Sequence, residues 1–400
     1  MAAGFFMAFS LGANDVANSM ASAVGAKAIT VRQAVIIAGT LTFIGAVFLG
    51  SHVTATITRG IINPEQIADP RIMMLGMFSA LVAASLWVLI ASLTALPVSS
   101  THSIVGSILG FGIVAGGPQV VNWWVLSGVV LSWIISPLFA GVIGFLIFSH
   151  IRKYIFFHAH YFQQARKWAP RWIGLTALIL GYSFIYKTPV GKDLEMTRTT
   201  AVLFTTILAF CSWYGGRLII NRITREKKQS VEEVEGIFRR MQIMTSSYVA
   251  LSHGANDVAN AIGPVAAIYI LARHHELVQA AEIPVYMLIL GGLGLSAGIA
   301  LLGKKVIATV GTRITTLTNT RGFAVDFSAA TTVLIASNLG MPVSTTHACV
   351  GGVTGVGLAK GFSSVNFKVL LKIVGYWILT VPIAAFSSIV IFQVLKWIII

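Results

Sequence analysis

Two short segments carry side chains that apolar sequence seldom tolerates. GANDVANS at 12–19 and GANDVANA at 254–261 each set an Asn-Asp pair, Asn14 with Asp15 and Asn256 with Asp257, inside a long hydrophobic run. A carboxylate within a membrane is costly unless it finds partners or a watery cavity. Small residues flank both pairs (Gly12, Ala13 and Ala17; Gly254, Ala255 and Ala259), which permits close helix approach and an unwound turn. An unwound turn exposes carbonyls, and with Asn and Asp oxygens these would hold a hard cation. The plainer reading is helix packing with Asn bonded to a neighbour; two symmetric copies favour the cation site.

Two further segments suit the opposite charge. LPVSSTHS at 96–103 and MPVSTTHA at 341–348 interrupt apolar sequence with a proline and a run of hydroxyls. Pro97 and Pro342 end one helix, and Ser99, Ser100 and Thr101, with Ser344, Thr345 and Thr346, begin the next. A helix N-terminus offers free amide donors and partial positive charge, so hydroxyls placed there can hold an oxyanion without Lys or Arg. Ordinary N-capping uses the same residue types. The adjoining His102 and His347 could donate, titrate or orient the tip. His253 precedes only the second Asn-Asp motif, and Asp326, without an acidic counterpart, is a weak candidate. No HExxH, GxSxG or P-loop pattern occurs, so no catalytic residue and no enzyme activity is expected.

These residues need a scaffold, and composition defines it. Of 400 residues, 56% are hydrophobic and 10% charged, against about 25% charged in an average soluble protein. That excludes a water-soluble surface, disorder and a collagen-like fibre. Cys211 and Cys349 imply no disulfide framework, and no basic residue precedes the first apolar run as in a cleavable signal. The formal charge of +15 resides between apolar runs rather than in a nucleic-acid motif, so nucleic acid is excluded as a partner.

Apolar runs near 2–24, 33–57, 122–149, 172–186, 199–220, 243–272, 284–303 and 370–395 are long enough to cross a bilayer. Regions 72–117 and 322–359, broken by the proline segments, are best read as re-entrant hairpins, with four spanning arms the alternative. The hairpin reading puts 21 of 28 basic residues on one face, which the positive-inside rule makes cytoplasmic, with both termini outside a multi-pass cell membrane protein. Residues 150–171 suit an interfacial helix, and Ser230 with Glu233 forms a capping-box pattern opening a short amphipathic helix.

The chain also repeats itself. The Asn-Asp and proline motifs recur in order, and between them LGSHVTATI at 49–57 returns as LGKKVIATV at 302–310; the offsets are 242, 253 and 245 residues. The expected fold is an all-α polytopic membrane protein of two inverted repeats, each with a broken helix and a re-entrant helical hairpin. Residues 1–149 form the N-terminal repeat. Residues 150–242 supply interfacial segments and two connecting spans, and 243–400 form the C-terminal repeat. Five intervening crossings make the second unit inverted, as in many secondary transporters with a midplane site.

Paired GANDVAN and PVSSTH/PVSTTH segments resemble those of the PiT family of inorganic phosphate transporters, and the resemblance covers both repeats. It implies import of inorganic phosphate coupled to sodium or protons, with no other cofactor. Some proton-coupled members are thought to carry a metal–phosphate complex, and sulfate is a closer rival than any enzyme substrate. The residues alone indicate an oxyanion–cation symporter: two carboxylates and an anion without basic side chains require cations to enter too, which couples the fluxes by linkage. A channel or a lipid-phosphate enzyme would need a continuous polar path or a catalytic cluster. Expected partners are phosphate, sodium or protons and the bilayer, with a homo-oligomer left open.

Overall fold

The computed structural model describes residues 1–50, 61–63, 66, 67, 69–187, 197–225, 229–274, 283–313, 316–338 and 343–399. Pro342, most of the LGSHVTATI segment and residues 226–228 lie outside the described residues. The described residues form twelve α-helices: α1 (Ala2–Gly25), α2 (Val31–Leu49), α3 (Pro70–Leu93), α4 (Ser100–Gly116), α5 (Trp123–Ile151), α6 (Tyr161–Lys187), α7 (Arg198–Ile223), α8 (Val231–His274), α9 (Val285–Arg313), α10 (Asn319–Asn338), α11 (Thr345–Lys360) and α12 (Phe367–Ile399). Seven of these are long and apolar enough to cross a membrane.

Local chemistry sets the boundaries. Thr30 and Gln33 form a reciprocal capping box at the start of α2. Asp69 caps α3 and Pro70 occupies its first turn, where the missing N–H costs nothing. Ser230 accepts from the Glu233 amide at 3.3 Å, as its spacing predicts. The amphipathic segment it opens does not end before the next span, however. With no helix breaker near residue 243, both join into the 44-residue α8. Similarly, α6 begins at Tyr161, within the segment expected to lie at the interface, after a π-helical turn over Arg152–Phe156.

The helices on either side of each proline segment pack against each other. Gly76 early in α3 faces Phe111 late in α4, so these helices run antiparallel. Gly352 of α11 likewise lies against Val325 and Ser328 of α10. The α3 end has a left-handed residue, Ala95 (φ 56°), and the Leu96 amide reaches back to the Ala91 carbonyl at 2.8 Å.

The helices are exchanged between the two halves. A Cβ on Gly12 of α1 would stand 2.0 Å from the Leu295 carbonyl oxygen of α9, and one on Gly254 of α8 would stand 2.0 Å from that of Thr42 of α2. Gly45 meets Leu251, and Gly298 meets Phe9, in the same reciprocal fashion. The small residues therefore seat each half's motif helix on the other half's second helix. This corrects the expectation of an unwound turn: α1 and α8 remain helical straight through both Asn-Asp motifs. Their carbonyls stay engaged within the helix, and the glycines serve backbone approach.

Candidate functional site

Asn14, Asp15 and Asn18 project from the middle of α1, three and four residues apart and so on one helix face. The Asn14 amide donates to the Leu96 carbonyl at 3.0 Å and to the Ser92 hydroxyl at 3.3 Å, fastening the first hairpin to α1. Asn18 reaches the other hairpin. Its Nδ2 donates to Thr346 Oγ1 at 2.9 Å, with Thr345 Oγ1 and Asp15 Oδ1 each at 3.3 Å. The tips also meet directly, Thr346 Oγ1 donating to the Val98 carbonyl at 3.3 Å.

The hydroxyls divide the work. Ser99 and Ser344 are N-caps, accepting from the amides of His102 (3.2 Å) and His347 (3.3 Å). Each keeps its own O–H proton to donate. Ser100, Thr101, Thr345 and Thr346 lie in first turns, where helix amides have no intrahelical acceptor. The Ser100 and Thr346 hydroxyls also face the Asp15 carboxyl.

Asp15 Oδ2 is buried without a hydrogen-bond partner, and Asp257 lies close enough to Asp15 for their charges to oppose each other. Among the described residues, no buried Lys or Arg offsets them. Asn256 is half-buried and Asn260 buried on α8; the counterpart of the Leu96 carbonyl belongs to Met341, outside the described residues. The structure thus brings together Asn14, Asp15 and both hydroxyl runs, with Asp257 near Asp15. Asn18 is the participant that sequence reasoning missed, although its place three residues after Asp15 was a usable signal. Every one of these residues except Asn256 is buried, so the cluster is closed to solvent in this conformation.

Two histidines brace the tips. His102 Nδ1 is 3.0 Å from the Trp377 carbonyl of α12, and His347 Nδ1 is 2.9 Å from the Trp133 carbonyl of α5. Each imidazole packs on the other tryptophan, His102 on Trp133 and His347 on Trp377, both with ring centroids at 3.7 Å. Asp326 is buried too: its two oxygens accept from Ser22 of α1 and Ser246 of α8. His253 is buried on α8.

A polytopic helical membrane protein with oppositely suited polar groups closed inside it has the construction of a secondary transporter. Similarity to known proteins narrows the kind. The family model described as the phosphate transporter family matches residues 11–388, and the chain belongs to that family. A protein of Thermococcus kodakarensis named as a phosphate permease is 48% identical over 392 residues, 98% of this chain and 96% of the relative. The chloroplastic inorganic phosphate transporter 2-1 of Arabidopsis thaliana is 39% identical over 414 residues, 97% of this chain and 70% of its own. A solved structure titled the sodium-dependent phosphate transporter matches with a TM-score of 0.93 at 48% identity, covering 100% of this chain and 98% of that one.

Proposed function

We propose that this member of the phosphate transporter family imports inorganic phosphate together with sodium by alternating access. The carrying observation is the buried, unpartnered Asp15 oxygen beside hydroxyls and helix N-termini from two hairpins. Phosphate would take the free amides and hydroxyls of Ser100, Thr101 and Thr345, with the caps Ser99 and Ser344 donating their remaining protons. Thr346 already donates to Val98, so it would join once the tips part. Asn14, Asp15, Asn256 and Asp257 would hold the cations, and Asn18 would link the Asp15 cation to the anion. Bound cations relieve the opposition of two carboxylates and the anion, so each ligand strengthens the other's binding.

Sodium is supported by the sodium-dependent relative; protons are the alternative carrier. The two halves would be inverted across the plasma membrane, with both termini outside, as the 21-to-7 distribution of basic residues suggests. Opening one hairpin tip at a time would then expose the same site to either side.

Labelled phosphate uptake into proteoliposomes under imposed sodium or proton gradients tests the reading. Uptake should follow the sodium gradient and resist excess sulfate. Uptake driven only by a proton gradient would replace sodium as the coupled ion, and preference for sulfate would remove phosphate as the substrate. Labelling of a cysteine placed at position 228 from outside the cell would reverse the orientation.

A further inference from the structure

Helices α6 and α7 pack antiparallel at the side of the molecule: Gly181 faces Thr205 and Leu208, Gly174 faces Ala209 and Trp213, and Gly216 faces Ile173. Where α6 begins and α7 ends, they form a half-open cavity of about 440 Å³. Arg166, Lys167, Arg171 and Arg217 line it together with Trp213 and Asn221, and among the described residues no carboxylate does. Arg166 is fixed by a 3.0 Å bond from Nη2 to the Asn221 side-chain oxygen, while its buried Nε has no partner. The Arg171 guanidinium lies over the Trp168 ring at 4.5 Å. Four like charges around one cavity repel each other unless an anion is shared between them.

The position identifies the anion. Arg217 is six residues before the end of α7, about 9 Å along the helix at 1.5 Å per residue. Its neighbours Leu218 and Ile219 are exposed, as are Phe204, Ile207 and Phe210 farther along. Apolar residues exposed on a membrane-spanning helix face acyl chains, so the cavity opens at headgroup depth. Basic pockets between spans at that depth bind phosphate-bearing lipid headgroups. Guanidinium pairs suit the geometry, since each can give two parallel bonds to phosphate oxygens.

We infer that the Arg166–Lys167–Arg171–Arg217 cavity is a binding site for a phosphate-bearing anion, placed to hold the headgroup of an anionic phospholipid. It is separate from the hairpin-tip cluster and would stabilise the α6–α7 pair without entering the transport cycle. Nothing in it depends on which ion drives phosphate uptake.

The test uses the full chain in a neutral detergent and reads thermal unfolding, which does not require transport. Titrating phosphatidylglycerol should raise the unfolding temperature, while phosphatidylcholine should not. The double variant Arg171→Gln/Arg217→Gln should need at least about tenfold more phosphatidylglycerol, the equivalent of losing one or two charge-assisted hydrogen bonds. Arg171→Lys should retain most of the response. Both arginines are exposed, so the variants fold. Soluble glycerol phosphate forms the second arm: a response to it that the double variant loses, with none to the lipid, would assign the cavity to a free phosphate ester. No response to either probe, or equal responses in wild type and double variant, overturns the site.

Discussion

The imidazoles of His102 and His347 meet edge to face with centroids 4.6 Å apart, and each is hydrogen-bonded to a helix of the opposite half. A carbonyl oxygen only accepts, so Nδ1 carries the proton in both rings. Pro137 has no N–H to offer the Trp133 carbonyl four residues earlier, and His347 supplies the missing donor. The tips of both hairpins are thus clasped to α5 and α12.

Replacing either imidazole should loosen that clasp. His102→Phe and His347→Phe should each lose about 1–3 kcal/mol, one hydrogen bond plus part of an aromatic contact. Because the arrangement is reciprocal, the two losses should be similar in thermal unfolding. A large effect from one and none from the other would refute the shared role.

Asp15→Asn and Asp257→Asn keep side-chain size and remove charge. Each should weaken or abolish the sodium dependence of phosphate uptake in proteoliposomes. Unchanged sodium dependence in both single variants would exclude these carboxylates from the cation sites.

Asn18→Ala removes donors to Thr345, Thr346 and Asp15. It should raise the phosphate concentration needed for half-maximal uptake by about 2- to 10-fold, the effect of one or two ordinary hydrogen bonds. Thr345→Ala should act in the same direction, and the double variant should cost less than the two effects combined. Full additivity would show that the residues act separately.

Gly12→Ala and Gly254→Ala each drive a methyl group into a backbone carbonyl. Overpacking of this kind costs typically 1–3 kcal/mol, so both variants should unfold at lower temperature. Gly39→Ala, whose Cβ would meet nothing within 4 Å, is the matched control and should be neutral or stabilising. Loss of stability in the control alone would overturn the packing argument.

Ala95 holds a left-handed conformation that costs an L-residue about 1–2 kcal/mol. The second repeat has Gly340 at the corresponding position. Ala95→Gly should relieve part of that cost and raise the unfolding temperature, less what glycine gains in the unfolded chain. A clear decrease would mean that the alanine methyl packs usefully at the tip.

The sequence made the hairpin helices legible because a proline followed by hydroxyls is a local signal, and α4 and α11 begin within the two hydroxyl runs. Asp15 and Asp257 were legible for the same reason: charge inside apolar sequence is conspicuous. The state of the motif helices was not, because small residues permit either unwinding or close packing. Only the carbonyls of Leu295 and Thr42, far away in sequence, decide for packing. The partners of Asp326 were not legible either, because Ser22 and Ser246 come from α1 and α8, and no local pattern announces a three-helix junction. The Arg166–Arg217 cavity was hidden likewise, since Arg217 stands on a different helix from Arg166, Lys167 and Arg171.

The exchange of helices also bears on how the molecule is made. Gly12 finds its seat on Leu295 only after 283 further residues have been added, roughly 15–60 s of synthesis at 5–20 residues per second. During that interval the glycine groove of α1 lacks its seat and Asn18 lacks its partners Thr345 and Thr346. The N-terminal half therefore cannot mature as a finished unit ahead of the C-terminal half. Both must be inserted first and then closed upon one another, so each half acts as the other's assembly template.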